Sequence, residues 1–294
     1  MKEKIKCKKC GLLIDEDLKT CPYCGYAQDN ENEEKKETIT PEVLTVDKEE
    51  KIGFFDFPSR QLEITPQKSI ILFLVGFLGL KFLGELAKII FAVLPNLGFL
   101  NGIEGQATIN FVLYFFLFGF LLFVLNSDVL KFSKDFTKGK TYLNGIMYGF
   151  FMIIVSSAVG SIFRLLDPST GTNANEAGVD SITSMFPFLS LIVFGFIGPI
   201  CEEFTYRAGL FNALKKLNRY AAYFGTAIIF GLIHFNFASF IDGTYITELI
   251  NLPTYIVSGL LLCYFYEYGG LAASITAHAT NNVFAVLLQI IAGI

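Results

Sequence analysis

Residues 183–211 read TSMFPFLSLIVFGFIGPICEEFTYRAGLF, an apolar run that ends in two glutamates and an arginine. The part from 183 to 200 carries no charged residue and has the length that a helix needs to cross a bilayer. Because backbone groups in lipid must form their hydrogen bonds internally, such a run predicts a transmembrane helix. Ionisable side chains are costly inside a membrane, so the charged end of the run indicates a functional site within a helix bundle.

The whole chain has an apolar composition. It has 294 residues, of which 53% are hydrophobic and 17% charged, and its mean hydropathy is +0.52. A soluble protein of this size needs more polar surface. Six further apolar runs, most of them long enough to span a bilayer, lie at about 68–94, 108–125, 142–163, 221–240, 247–265 and 271–292. We therefore expect an all-α, polytopic bundle of about seven transmembrane helices.

The N-terminal region contains four cysteines in the pattern C-x2-C-x10-C-x2-C, within CKKCGLLIDEDLKTCPYC at 7–24. Two such pairs place four thiolates at the corners of a tetrahedron, which suits Zn²⁺. The alternative is two disulfides in a secreted domain, but the N-terminus has no apolar signal segment. We expect the metal ligands to be Cys7, Cys10, Cys21 and Cys24.

The composition predicts three parts of the chain. Residues 1–27 form the zinc ribbon, and residues 28–65 form a flexible linker and juxtamembrane segment, since they are polar and highly charged. Residues 66–294 form the transmembrane domain, with the motif-bearing core at 183–294. The net charge of −4 gives no indication of a nucleic-acid partner.

Lysine and arginine concentrate in alternate gaps between the apolar runs. The gap 126–141 carries four such residues, and the 202–220 stretch ends with Lys215, Lys216 and Arg219. The gaps 95–107 and 241–246 carry none, and 164–183 carries only Arg164. Positive residues favour cytoplasmic loops, so the alternation predicts a multi-pass plasma-membrane protein with a cytoplasmic N-terminus. Thiols stay reduced in the cytoplasm, which agrees with a zinc site.

Six polar side chains interrupt the apolar runs in the second half of the chain, and they include both histidines. We predict that they form a catalytic site: Glu202, Glu203, Arg207, His234, His278 and Asn282. Glu203 and Arg207 are four residues apart and therefore share a helix face, as do His278 and Asn282. Glu202 points about 100° away from Glu203, toward a different neighbour.

These clusters have a similar predicted depth in the bilayer. Glu202 lies 13 residues before Lys215, and His234 lies 14 residues after the basic gap ends at position 220. Both are then roughly 20 Å along their helices at 1.5 Å per residue. Asn282, 12 residues after Gly270, falls at about 18 Å by the same rule. This agreement favours a single site over separate polar contacts between helices.

Two chemistries fit this set of groups. A glutamate and a histidine across a small cavity can activate water as general base, while a second histidine with an asparagine stabilises the oxyanion. Alternatively, a glutamate and two histidines can bind a catalytic Zn²⁺ with one position left for water. Both routes lead to hydrolysis of an amide bond, and the residues leave the choice open.

Three short motifs resemble those of a known family. EEFTYR at 202–207 resembles an EExxxR motif, FGLIH at 230–234 an FxxxH motif, and HATNN at 278–282 an HxxxN motif. In this order, within a multi-helix membrane domain, they are similar to the CPBP family of CAAX proteases, bacteriocin-processing and self-immunity proteins, also called Abi. The resemblance covers about residues 140–294 and is tightest from 199 to 284.

The resemblance implies a role for each motif. It implies that Glu202 is the base that activates water together with His234, and that Glu203 is a supporting group paired with the arginine. It implies that His278 and Asn282 are oxyanion or ligand groups.

We therefore expect an intramembrane endopeptidase of this type, a hydrolase that cuts membrane-embedded or membrane-tethered peptides from the cytoplasmic side. The alternative is a non-proteolytic membrane scaffold or a bacteriocin self-immunity protein. The expected partners are the substrate and the lipid bilayer, with no nucleic acid. Structural zinc is the expected cofactor, while dependence on a catalytic metal (a metalloprotease) and the oligomeric state are left open.

The cysteine pattern generates a first prediction. The full chain, purified under reducing conditions, should contain one Zn²⁺, because four thiolates complete its tetrahedral coordination. Replacing Cys21 and Cys24 by serine should abolish binding, whereas Cys201→Ser, outside the motif, should keep the metal. Elemental analysis measures the stoichiometry, and a reduced, purified chain without bound zinc would contradict the prediction.

Overall fold

The computed structural model describes residues 4–7, 13–15, 18–21, 27, 60–83, 86, 89–90, 93 and 102–292. The chain divides into two compact units, Met1–Lys51 and Ile52–Ile294.

The smaller unit contains an antiparallel hairpin of two strands, β1 (Lys4–Lys6) and β2 (Leu13–Asp15). Of the four predicted zinc ligands, Cys7 and Cys21 are described, and both are buried beside Ile14. The other two predicted ligands lie outside the described residues: Cys10 and Cys24. The zinc ribbon therefore stays a prediction.

The larger unit is a bundle of helices. Their bounds are α1 (Pro66–Leu78), α2 (Ile103–Thr137), α3 (Gly139–Arg164), α4 (Ala174–Met185), α5 (Pro187–Lys215), α6 (Ala221–Ile233), α7 (Ser239–Asp242), α8 (Tyr245–Gly269) and α9 (Leu271–Ala292). Helix α1 continues as a π-helical turn over Gly79–Leu83. Helix α2 changes to a 3₁₀ turn at Asn126–Asp128 and again at Lys134–Thr137.

Five helices in the described part are long and apolar enough to cross a bilayer: α2, α3, α5, α8 and α9. Helices α2 and α3 expose large apolar side chains, such as Phe116 (75% exposed), Phe123 (77%) and Ile154 (68%). Soluble proteins rarely expose continuous apolar surface of this kind, so these faces contact lipid. The predicted class, an all-α polytopic membrane bundle, is confirmed.

The helices differ from the predicted seven runs in several places, and α2 continues to Thr137, past the predicted end at 125. The run at 221–240 forms a shorter helix, α6, which ends at Ile233. The run at 68–94 is helical over Pro66–Leu83, and most residues from 84 to 94 lie outside the described part. Helix α4 was not predicted, because its polar sequence does not form an apolar run. The side chain of Asn173 caps the first turn of this helix by accepting a hydrogen bond from the Glu176 amide at 2.9 Å.

Helix α5 is the buried centre of the bundle, since every residue from 201 to 212 is buried. Its neighbour α1 approaches it closely at Gly76, where an added Cβ would lie 1.8 Å from Thr205 Oγ1. A hydrogen in place of a side chain permits this approach. This close contact helps to bury α5 on the side of Thr205.

Helices α3 and α9 meet in the same way. An added Cβ at Gly149 would lie 2.6 Å from Thr280 Cβ and 2.8 Å from the Ala277 carbonyl oxygen. Gly145, one turn earlier, faces Thr276 at similar range. The two glycines thus set the position of α9 against α3.

This contact generates a second prediction. Gly149→Ala should destabilise the protein by about 1–3 kcal/mol, because the new methyl group meets backbone that has no room to move. Gly119→Ala is the matched control in another membrane helix, since nothing lies within 4 Å of its added Cβ. Thermal unfolding of the purified variants in detergent measures the difference. Equal unfolding midpoints for the two variants would contradict the predicted close contact.

Candidate active site

Three of the predicted site residues lie in the buried centre of α5. The chain there changes from α-helical at Gly198–Glu202 to π-helical at Glu203–Phe211. Pro199 has no N–H to donate, and another π-helical turn, Val193–Ile197, precedes it. π-helical turns inside α-helices are frequent at functional sites. Glu202 is the last residue of the α-helical turn, and Glu203 is the first residue of the π-helical segment.

Glu203 is the centre of a buried polar network. Its side chain is fully buried, and its Oε1 lies 3.0 Å from Arg207 Nη1 and 2.9 Å from His278 Nδ1. Its Oε2 accepts a hydrogen bond from Ser274 Oγ at 2.5 Å. Both oxygens are therefore occupied by donors, and the carboxylate joins α5 to α9. Such a group positions its neighbours.

Arg207 balances the charge of Glu203. Its side chain is completely buried, as is that of its partner. Its Nη2 donates to the Gly259 carbonyl oxygen at 3.3 Å, and its guanidinium carbon lies 4.6 Å from the centre of the Phe230 ring. These contacts connect α5 to α8 and α6. The spacing of four residues predicts this pair, and the structure contains it.

His278 lies between the two glutamates. Because the carboxylate of Glu203 accepts, Nδ1 of His278 carries the hydrogen and donates it. The other ring nitrogen, Nε2, lies 3.8 Å from Glu202 Oε2, which is longer than a direct hydrogen bond. Within the described part of the chain, this buried oxygen has no hydrogen-bond partner. Of the two glutamates, Glu202 is the one that lines the cavity, with 11% of its side chain exposed.

His234 lies directly after the end of α6. Its Nδ1 donates to the Phe230 carbonyl oxygen at 2.8 Å, which leaves Nε2 as an acceptor in the neutral ring. The ring stacks on Tyr255 at 4.4 Å between centres, with an angle of 14° between the planes. Both contacts fix the orientation of the imidazole.

Asn282 has partners of its own. Its Nδ2 donates to the Phe194 carbonyl oxygen at 3.1 Å, and its Oδ1 accepts from Asn281 Nδ2 at 3.0 Å. The spacing predicts that His278 and Asn282 present one donor–acceptor pair to a single point. In the structure Nδ1 of His278 donates to Glu203, and both His278 and Asn282 line the cavity, so their joint role stays a prediction.

A cavity of about 1130 Å³ brings most of these groups together. Four of the six predicted site residues line it: Glu202, His234, His278 and Asn282. Glu203 and Arg207 lie behind this wall and do not line the cavity. The volume slightly exceeds that of pockets for small molecules, which hold roughly 300–1,000 Å³. The catalytic roles of all six residues stay predictions.

The donor set does not fit a catalytic metal. Among the residues that the structure describes, no three His, Cys, Asp or Glu side chains are grouped closely enough to hold an ion. Glu202 and the two histidines share the cavity wall. The choice between a metal-free and a metal-dependent reaction stays a prediction.

Two contacts of the site were not predicted. Ser274 donates to Glu203, and its position four residues before His278, on the same face of α9, is a signal that was available in the sequence. Tyr255 stacks on His234 from α8, where no motif marks it. The stacking of Tyr255 on His234 depends on how α8 packs against α6, so the sequence alone could not indicate it.

The part of the chain that carries the site matches a family model. Residues 184–284, which are 101 of the 294 residues, match the model described as "Type II CAAX prenyl endopeptidase Rce1-like". The match includes all six predicted site residues. No solved structure matches the chain.

Several curated relatives are similar at low identity. "Putative membrane peptidase YdiL" of Bacillus subtilis is 28% identical over 145 residues, covering 48% of this chain and 54% of the relative. "UPF0177 protein YvdC" of Lactococcus lactis is 21% identical over 189 residues, covering 63% and 68%. An uncharacterized protein of Mycoplasma capricolum is 26% identical over 180 residues, covering 56% and 50%. The chain thus spans about half the length of two of these relatives.

The fold and the site together define a polytopic membrane protein with a buried glutamate–histidine centre. The part of the chain that carries this centre is similar to Rce1-like CAAX prenyl endopeptidases, which are membrane proteases. Both comparisons support the CPBP family that the motifs resemble.

The network around Glu203 generates a third prediction. Glu203→Gln should lower the free energy of unfolding by about 3–5 kcal/mol, because it leaves the buried Arg207 without a counter-charge. Glu202→Gln is the matched control and should change stability much less, since Glu202 makes no ion pair with Arg207. Thermal unfolding of both variants in the same detergent measures the difference. Equal destabilisation by the two changes would show that the carboxylates do not have separate roles.

Proposed function

We propose that this protein is an intramembrane endopeptidase of the CPBP type, which hydrolyses a peptide bond with a water molecule activated by Glu202. The observation that carries the proposal is the contrast between adjacent carboxylates. Glu203 is surrounded by donors, whereas Glu202 lines the cavity and its Oε2, 3.8 Å from His278 Nε2, has no hydrogen-bond partner among the described residues. The family match at 184–284 supports the same activity.

The charges of the network balance when His278 is protonated. Glu202 and Glu203 then contribute two negative charges, and Arg207 and the imidazolium contribute two positive charges. A neutral sum lowers the cost of holding these groups inside a bilayer. In this form Nε2 of His278 carries a hydrogen that can be donated to the reacting oxygen.

The proposed reaction begins with a water molecule that contacts Glu202 and the accepting Nε2 of His234. Glu202 takes a proton as the water oxygen bonds to the carbonyl carbon of the substrate. Hydrogen bonds from His278 Nε2 and the second N–H of Asn282 stabilise the resulting oxyanion. When the intermediate collapses, the C–N bond breaks and Glu202 returns the proton to the leaving nitrogen. The products are a new carboxylic acid and a new amine, which become a carboxylate and an ammonium group when the acid proton passes to the amine.

The proposed substrate is a membrane-embedded or membrane-tethered peptide or protein segment. The cavity lies among apolar helices whose outer faces contact lipid, so a segment held at the membrane reaches it without crossing bulk water. The proposed location is the plasma membrane with the N-terminus in the cytoplasm, because the basic gaps favour that orientation.

We also propose that the smaller unit is a zinc ribbon that serves docking or regulation. Its hairpin and the burial of Cys7 and Cys21 beside Ile14 support this proposal. Four-cysteine zinc sites are coordinatively closed, so this metal takes no part in hydrolysis.

The mechanism generates a fourth prediction. Glu202→Gln keeps the shape of the side chain but cannot take a proton from water, so cleavage should fall by about 10²–10⁴-fold. Asn282→Ala should lose about 2.7–4 kcal/mol of transition-state stabilisation. The measurement is cleavage of membrane-tethered peptides by the purified protein in liposomes, followed by mass spectrometry.

The matched control for this experiment is Glu104→Gln, an exposed glutamate at the start of α2, which should keep full activity. Full turnover by a folded Glu202→Gln protein would rule out the mechanism. A wild-type cellular phenotype with the cleavage-dead variant would instead favour the scaffold or self-immunity alternative.

A further inference from the structure

One end of the larger unit is rich in positive charge. We call it the basic end, and it is formed by Arg60, Lys131, Lys138, Lys215 and Arg219. Contacts join these residues across helices: Lys131 Nζ donates to the Glu63 carbonyl oxygen at 2.8 Å, and Lys215 Nζ lies 2.6 Å from Glu267 Oε1. The end of α5, the end of α8 and the turn between α2 and α3 therefore all lie at the basic end.

The cavity reaches the opposite end of the bundle. There it is lined by Arg164 at the end of α3, by residues of α4, and by residues 236–238 after α6. Several of these lining residues are exposed, among them Asn175, Gly178 and Ser181. We call this group the rim, and through it the cavity opens to the surroundings.

A buried glutamate builds the rim. Glu248, near the start of α8, accepts from the Ala174 amide at 2.9 Å through Oε1 and from the Asn236 amide at 3.0 Å through Oε2. Nearby, Asn251 Nδ2 donates to the Gly171 carbonyl oxygen at 3.2 Å. One carboxylate thus holds both segments of the rim in place. The opening of the cavity is therefore held in place by specific hydrogen bonds.

The bundle is closely packed between the site and the basic end. Residues 201–212 of α5 and 271–275 of α9 are all buried. Below them, Tyr266 Oη donates to Asn212 Oδ1 at 3.0 Å and accepts from the Leu62 amide at 3.0 Å. Substrate access from this side would require these contacts to separate.

Charge indicates which side of the membrane the rim faces. The rim carries one basic residue, Arg164, and the segments 165–186 and 234–244 contain no lysine or arginine, whereas the basic end carries at least five such residues. Positive residues stay on the cytoplasmic side, so the basic end faces the cytoplasm and the rim faces outward. Cleavage from the cytoplasmic side, as expected from the sequence, conflicts with this arrangement.

We infer that the site receives its substrate from the extracytoplasmic side of the membrane. The substrate class is an extended peptide segment exposed on that side: an exported peptide at the membrane surface or an outward-facing tail of a membrane protein. This inference rests on the proposed function, because it assigns the side from which the peptidase site is reached.

Cysteine labelling tests the inference without any need for cleavage. Ser181→Cys places a thiol on the rim, and Ser258→Cys places one deeper on the cavity wall with little change of size. Thr137→Cys is the matched control at the basic end, where Thr137 is exposed. A small charged thiosulfonate that does not cross membranes is applied to intact cells and to inside-out vesicles carrying the full chain. The unsubstituted chain gives the background, with Cys201 and Cys263 buried.

We expect both cavity variants to lose their free thiol in intact cells, and the Thr137→Cys variant to lose its thiol only in inside-out vesicles. Reaction of the Ser258→Cys variant from the inside alone, or from neither side, would overturn the inference. So would reaction of the Thr137→Cys variant in intact cells. Labelling from outside combined with no peptide cleavage would instead refute the proposed function and leave the side of access standing.

Discussion

The ion pair between Glu203 and Arg207 is the contact around which the site is arranged. Two opposite charges with no exposed surface are stable in a membrane bundle only when each is paired and hydrogen-bonded. Glu203 meets this requirement through Ser274 and His278, and Arg207 through the Gly259 carbonyl oxygen. The same contacts that satisfy the charges therefore hold α5, α8 and α9 in one arrangement.

Glu202 and Glu203 are adjacent on α5, and the burial of Glu203 also determines the surroundings of Glu202. Side chains of neighbouring residues point about 100° apart, so the direction that buries Glu203 turns Glu202 to the cavity. Close packing at Gly149 sets the height of α9 and hence the level at which His278 meets both carboxylates. The buried network around Glu203 and the position of Glu202 at the cavity wall thus both follow from one orientation of α5.

The sequence predicts those features that depend on a single helix. The spacing of Glu203 and Arg207 predicts their pairing, and helix rise places Glu202 and His234 at one level, where both line the cavity. Contacts between helices are different, because they depend on packing that no single run reveals. The hydrogen bond from His278 Nδ1 to Glu203 and the early end of α6 are features of this kind.

An experimental density map of the protein in a lipid nanodisc tests most directly whether the two glutamates have separate roles. We expect Glu203 in contact with Arg207, Ser274 and His278, and the carboxylate of Glu202 facing the open cavity beside His278. A map in which Arg207 pairs with Glu202 and Glu203 turns into the cavity would contradict the proposed site.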